Sequence, residues 1–127
     1  MLTYIYAAII IFIVQLFSGT LTRFGPLGTS SLGEGLRGRD ELAAPSPVNG
    51  RLERAKNNMI EALLIFMPLA ILHQVSGDAP DQAMTGALVF VIARIVYIPA
   101  YASGILGIRT LVWGAGHIGL LMMALSL

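Results

Sequence analysis

The sequence predicts an all-α protein, an integral membrane four-helix bundle, and three observations predict it. Hydrophobic residues fill 56% of the 127 positions and charged residues only 12%, against roughly 45–50% and about 25% in soluble domains. Mean hydropathy is +0.78. The apolar residues fall into four blocks, each near the roughly 20 residues that a helix needs to cross a bilayer. One transmembrane domain over residues 1–127 follows, with helices at about 2–21, 50–75, 82–101 and 108–127 and a polar loop over 22–49.

The first block carries no charge, and β-branched Ile9, Ile10, Ile11 and Ile13 lie at its centre. No Lys or Arg precedes it, and it is longer than the core of a signal peptide, so it reads as a retained helix. The composition then changes to Gly25, Gly28, Gly33, Gly35 and Gly38, followed by Pro45 and Pro47, which marks a loop. The second helix is expected to start near Asn49 to Arg51, with Asn49 capping its free N–H groups. The turn at 76–81 (SGDAPD) leads into the third helix, and Gly104 and Gly107 lie in the connection to the fourth. Pro68 and Pro99 fall inside helices, which a membrane bundle tolerates where neighbours satisfy the freed carbonyls.

Charge sets orientation and excludes some functions. A net charge of +1 gives no basic surface for nucleic acid. Six of the eight Lys and Arg residues lie between Arg23 and Lys56, and the 76–81 turn has two acids and no base. By the positive-inside rule the first and third connections face the cytoplasm and both termini lie on the other side. Cysteine is absent. Any reactive sulfur must therefore arrive with a ligand.

The chemistry is carried by polar groups at matching depth on three helices. Arg51, Arg54, Asn58 and Glu61 share one face of the second helix. A carboxylate about 10 Å below Arg54 needs a partner. Arg94, Tyr97 and Tyr101 share a face of the third helix, and Arg94 falls at the depth of Glu61, so a buried Glu61–Arg94 ion pair is expected. Its bland reading is a device that fixes helix register; against that, intramembrane ionisable groups mark functional sites. Arg109, Thr110 and Trp113 open the fourth helix. Alone they would be an interfacial anchor; facing the other two helices, they complete a site for an anionic, peptide-like ligand held through its carboxylates. Gly114, Ala115, Gly116 and Gly119 give that helix a surface for close packing, within or between subunits. His73 and His117 sit at different depths, so no metal site is expected, and His117 is read as a hydrogen-bonded core residue.

These motifs, RAKNNMIE over 54–61 followed by Phe66, RIVYIPAY over 94–101 and RTLVW over 109–113, resemble the MAPEG family, the membrane-associated proteins in eicosanoid and glutathione metabolism. The resemblance runs from about Gly38 to the C-terminus and looks closest to the bacterial members. It implies a homotrimer of four-helix protomers in the inner membrane, with glutathione as cosubstrate bound at subunit interfaces on the cytoplasmic side. It implies that Asn58 and Glu61 hold the tripeptide backbone and its γ-glutamyl end, with Tyr97 and Tyr101 lining the same pocket and Trp113 standing where the prostaglandin synthase branch has a tyrosine; Arg51, Arg54 and Arg94 join the pocket by their place on the shared helix faces. Arg109 would steady the thiolate and Thr110 would contact the thiol, the two candidate catalytic residues. Asn57 and Tyr97 depart from the prostaglandin synthase branch, which has arginine and histidine there, so Lys56 or Arg51 would take the glycine carboxylate.

The function expected is a glutathione-dependent transferase or peroxidase acting on lipophilic electrophiles from the bilayer. Two other classes stay open: a non-catalytic binding or scaffold protein using the same pocket, and a small multidrug-type exporter. The exporter would need an isolated membrane carboxylate, which a Glu61–Arg94 pair would remove.

Overall fold

The computed structural model describes residues 1–24, 31, 33, 44 and 46–127. Four helices run through them: α1 (Leu2–Phe24), α2 (Pro47–Val75), α3 (Asp81–Ser103) and α4 (Leu106–Ala124). Most of the expected 22–49 loop lies outside the described residues. At its two ends, however, α1 continues to Phe24 and α2 begins at Pro47.

The start of α2 corrects the sequence reading. Ser46, and not Asn49, is the N-cap: its hydroxyl accepts from the Asn49 amide at 3.2 Å, and Pro47 occupies the first turn. That is the favoured arrangement, because proline has no N–H to leave unpaired and its fixed φ suits a helix start. Asn49 is thereby released for tertiary work. Its buried amide donates to the Gly19 carbonyl at 2.8 Å and to the Thr22 hydroxyl at 3.1 Å, tying α2 to the end of α1.

α1, α2 and α3 are long and apolar enough to cross a membrane. Each helix buries one stripe and exposes apolar residues elsewhere. In α1 the buried residues are Ile5, Ala8, Ile11, Gln15 and Gly19, at steps of three and four. Ile10, Val14 and Phe17 on its other faces are exposed, as are Leu64, Val75 and Leu111 on other helices. A surface this apolar is stable only where the surrounding solvent is lipid.

The core lies between α1, α2 and α3 and is closed by α4. Phe66 of α2 stacks on Phe90 of α3, with centroids 4.3 Å apart and planes 7° from parallel, and Met59, Ala62, Ala87, Leu120 and Met123 fill the space around them. α3 and α4 are the most intimately packed pair. A Cβ added at Gly86 would fall 2.6 Å from the Gly119 carbonyl oxygen, and one at Gly119 would fall 2.5 Å from that of Gly86. Small residues are what permit this backbone approach in lipid. Gly119 and Gly116 thus pack within the protomer, while Gly114 faces open space.

At the 76–81 end, buried His73 is held by the Met123 carbonyl at 2.9 Å, joining α2 to α4. His117 is half-buried and bonded to the Trp113 carbonyl of its own helix, so it is not the core residue expected from the sequence.

Candidate functional site

The helix faces that the sequence singles out meet around Arg94. This side chain is 1% exposed, and its Nη1 donates to the side-chain amide oxygen (Oδ1) of Asn58 across the α2–α3 seam at 3.2 Å. The guanidinium carbon lies 5.1 Å from the Phe90 ring centroid and 5.5 Å from that of Tyr97. Phe90 precedes it by four residues and Tyr97 follows by three, so helical spacing alone brackets the charge between two π faces. Gly116 borders the guanidinium on the α4 side, where an added Cβ would make an ordinary contact 3.4 Å from Arg94 Nη2. Nε and Nη2 are buried without hydrogen-bond partners.

From Arg94 the cluster climbs one face of α3 to α4. The Tyr97 and Tyr101 rings are 5.3 Å apart, and the Arg109 guanidinium carbon lies 5.0 Å from the Tyr101 centroid. Asn58, Arg94, Tyr97, Tyr101 and Arg109 thus form one contiguous band over three helices. Tyr97, at 3% exposure, lies within electrostatic reach of Arg94, Arg109 and Glu61.

The expected Glu61–Arg94 ion pair does not form. Among the described residues Arg94 takes Asn58 as its partner, and Glu61 is exposed on the flank of α2. Helix geometry accounts for this. A step of three residues falls about 60° short of a full turn, so Glu61 points further from the core than Asn58. The guanidinium lies beside Gly116 of α4 and bonds to Asn58 instead. An ion pair among the described residues is Lys56–Glu53 at 2.6 Å, one helix turn apart.

The remaining candidates occupy three other settings. Arg51 donates from Nη1 to the Ala102 carbonyl at 3.1 Å, capping the last turn of α3. There its charge complements the negative end of the helix dipole. Gly104 ends α3 with φ 78°, and a Cβ there would fall 2.8 Å from the Arg51 guanidinium. Arg54 is exposed, its Nη1 3.6 Å from where a Cβ on Gly50 would lie. Thr110 and Trp113 are on the exposed side of α4, with the indole packed on the His117 ring at 4.0 Å. The protomer therefore gathers five candidates into a band and leaves Arg54, Glu61, Thr110 and Trp113 at its surface. Sequence reasoning missed Phe90, for which the F-x-x-x-R-x-x-Y spacing over 90–97 was a legible signal; it read Gly116 as a packing residue, and the contact with Arg94 is visible only across the helices.

Compared with known proteins, the chain matches the model of the MAPEG family over residues 1–127. No curated protein and no solved structure matches it.

Proposed function

The chain belongs to the MAPEG family, and from that premise we propose that it is a membrane-embedded glutathione-dependent transferase or peroxidase acting on lipophilic electrophiles. The family includes glutathione transferases and peroxidases as well as non-catalytic members. The observation that carries the reading is the band Asn58–Arg94–Tyr97–Tyr101–Arg109, a continuous run of hydrophilic groups from three helices that climbs one face of α3 within a largely apolar bundle. Ionisable groups in that setting mark a site.

The donor set fits glutathione, which offers two carboxylates, an ammonium, two amides and a thiol. Arg54 is the accessible cation for a carboxylate, since Arg51 is engaged with Ala102. Glu61, exposed beside Tyr97, supplies the counter-charge for the ammonium. Asn58 keeps its amide N–H groups for the peptide while its side-chain oxygen holds Arg94. Arg109 stands at the α4 end of the band, where its charge favours a thiolate. A free thiol has pKa about 8.5, and a neighbouring guanidinium raises the fraction that can attack. In conjugation the sulfur forms the new C–S bond as the leaving group departs with its electron pair, and Thr110, exposed on α4 next to Arg109, would contact the sulfur, as the family resemblance implies.

Arg54, Glu61, Thr110 and Trp113 all face outward from the single protomer. On this reading a second copy closes the pocket in a homotrimer, as the family resemblance implies, on the cytoplasmic side of a bacterial inner membrane with both termini opposite, the orientation that the positive-inside rule gives. The exposure of Glu61 also gives the exporter reading the carboxylate it requires, because Arg94 does not neutralise it. Two assays on purified protein separate these activities. Conjugation of a chromogenic electrophile that requires glutathione and falls in Arg109→Ala supports the transferase; proton-driven, glutathione-independent dye transport in proteoliposomes, lost in Glu61→Gln, would replace it with the exporter.

A further inference from the structure

The line of side chains that starts at Arg109 on α4 does not stop at Trp113. His117 follows by a further step of four, which keeps to the same face. Its Nδ1 lies 2.9 Å from the Trp113 carbonyl oxygen, and its ring packs on the indole at 4.0 Å. A carbonyl oxygen only accepts, so Nδ1 carries the proton of the neutral ring and Nε2 is left as an acceptor. The bond behind it and the indole beside it fix the direction of that lone pair. The residue is half-buried, and among the described residues nothing bonds to Nε2.

Two contacts give the depth of this acceptor. Arg94 bonds to Asn58 on α2 and borders Gly116 on α4, so the three mark one level of the bundle. α2 and α4 run the same way through it, because Arg51 near the start of α2 caps the end of α3, where α4 begins. His117 lies one residue past Gly116 and Glu61 three past Asn58, about 1.5 and 4.5 Å further from the Arg51 end. The imidazole and the carboxylate are thus within about 3 Å of the same depth. Glu61 and Arg109 both lie within electrostatic reach of Tyr97, so the α2 and α4 faces that bear them flank the same stretch of α3. Among the described residues Glu61 has no hydrogen-bond or ion-pair partner either.

We infer that His117 is a further ligand-binding residue, which with Glu61 receives the ammonium of the γ-glutamyl end and so makes the site selective for thiol peptides that carry one. The inference rests on the proposed glutathione site and adds a residue and a selectivity to it. An ammonium has three N–H donors and no acceptor, and a carboxylate with an unprotonated imidazole nitrogen answers two of them. A ligand carboxylate in the same place would meet the charge of Glu61 and a nitrogen with no proton to give. The span also fits. In glutathione the ammonium and the sulfur are separated by about eight bonds, roughly 10 Å when extended. Arg109 and His117 are about 12 Å apart along α4, and the length of the Arg109 side chain closes the difference.

The test is calorimetric titration of the full chain in detergent with glutathione and with its des-amino analogue, in which hydrogen replaces the ammonium. The wild type is expected to prefer glutathione by about tenfold or more, the worth of a hydrogen bond to a charged group. His117→Leu lowers the affinity for glutathione by about as much and leaves that for the analogue unchanged, while His117→Gln, whose side-chain oxygen also accepts, keeps most of the preference. Nitrogen-15 magnetic resonance of the wild type needs no variant: the Nε2 signal of His117 moves with glutathione and stays in place with the analogue. Equal binding of the two ligands by the wild type, an unchanged preference in His117→Leu, or an Nε2 signal that glutathione does not move would overturn the assignment. So would an Nε2 already hydrogen-bonded before ligand is added, which would give it to a second copy. Binding of neither ligand by the folded wild type would remove the glutathione site itself, a different result from glutathione bound without regard to its ammonium.

Discussion

At the scale of single residues, Arg94 is the most exacting group in the protein. A buried guanidinium with one hydrogen bond and two aromatic faces is poorly compensated for a charge out of water. Removing its acceptor leaves the charge in place, whereas replacing it with a flexible apolar chain removes the cost. Asn58→Ala is therefore expected to destabilise by about 3 kcal/mol, and Arg94→Met by much less or not at all. Thermal unfolding of both variants in one detergent checks the order. If Arg94 serves the site and not the fold, Arg94→Met stays folded and loses glutathione affinity. Under the proposed function, Arg109 acts on the chemistry. A cation beside a thiol lowers its pKa by 1–3 units, so Arg109→Ala moves the alkaline rise of the pH–rate profile upward by about one unit or more. An unshifted profile would take the thiolate role from Arg109. The sequence made the depth of Arg94 legible through its spacing from Tyr97 and Tyr101. It did not reveal the partner, because depth along the helix does not register the roughly 60° by which Glu61 turns away from Asn58 on α2.

At the scale of elements, the helices were legible because a bilayer leaves few alternatives to an apolar run of about 20 residues. Their ends were less so. Asn49 is a good capping residue in isolation, yet the preceding Ser46-Pro47 forms a better start and Asn49 is needed three residues on, against Gly19 and Thr22. Two predictions belong here. Asn49→Ala removes two hydrogen bonds between α1 and α2, each worth about 0.5–1.5 kcal/mol. Thermal unfolding is expected to fall accordingly and proteolysis of the connecting segment to quicken. Gly119→Ala forces a methyl against the Gly86 carbonyl and is expected to cost about 1–3 kcal/mol by overpacking, while Gly114→Ala, which meets nothing within 4 Å, is expected to leave stability unchanged. Equal effects of the two glycine substitutions in the same unfolding assay would mean that α3 and α4 do not pack at Gly86 and Gly119.

At the scale of the whole molecule, the protomer divides its polar groups into an inward band and an exposed remainder. The band from Asn58 to Arg109 leaves Nε and Nη2 of Arg94 without partners, while Arg54, Glu61, Thr110 and Trp113 look outward. Charged side chains turned toward lipid are costly, and a neighbouring copy together with an anionic ligand would relieve that cost at once. Assembly and binding are then coupled, and glutathione is expected to stabilise the oligomer. A single sequence gives no access to this level, since the same exposed residues serve a protomer interface, a ligand or bulk lipid. The direct measurement is calorimetric titration of glutathione into the purified protein in detergent, with Asn58→Ala and Arg54→Gln alongside. The account predicts saturable binding to the wild type and a loss of tenfold or more in each variant, the worth of about 1.4 kcal/mol. No binding to the folded wild type, or equal binding by all three proteins, would contradict it.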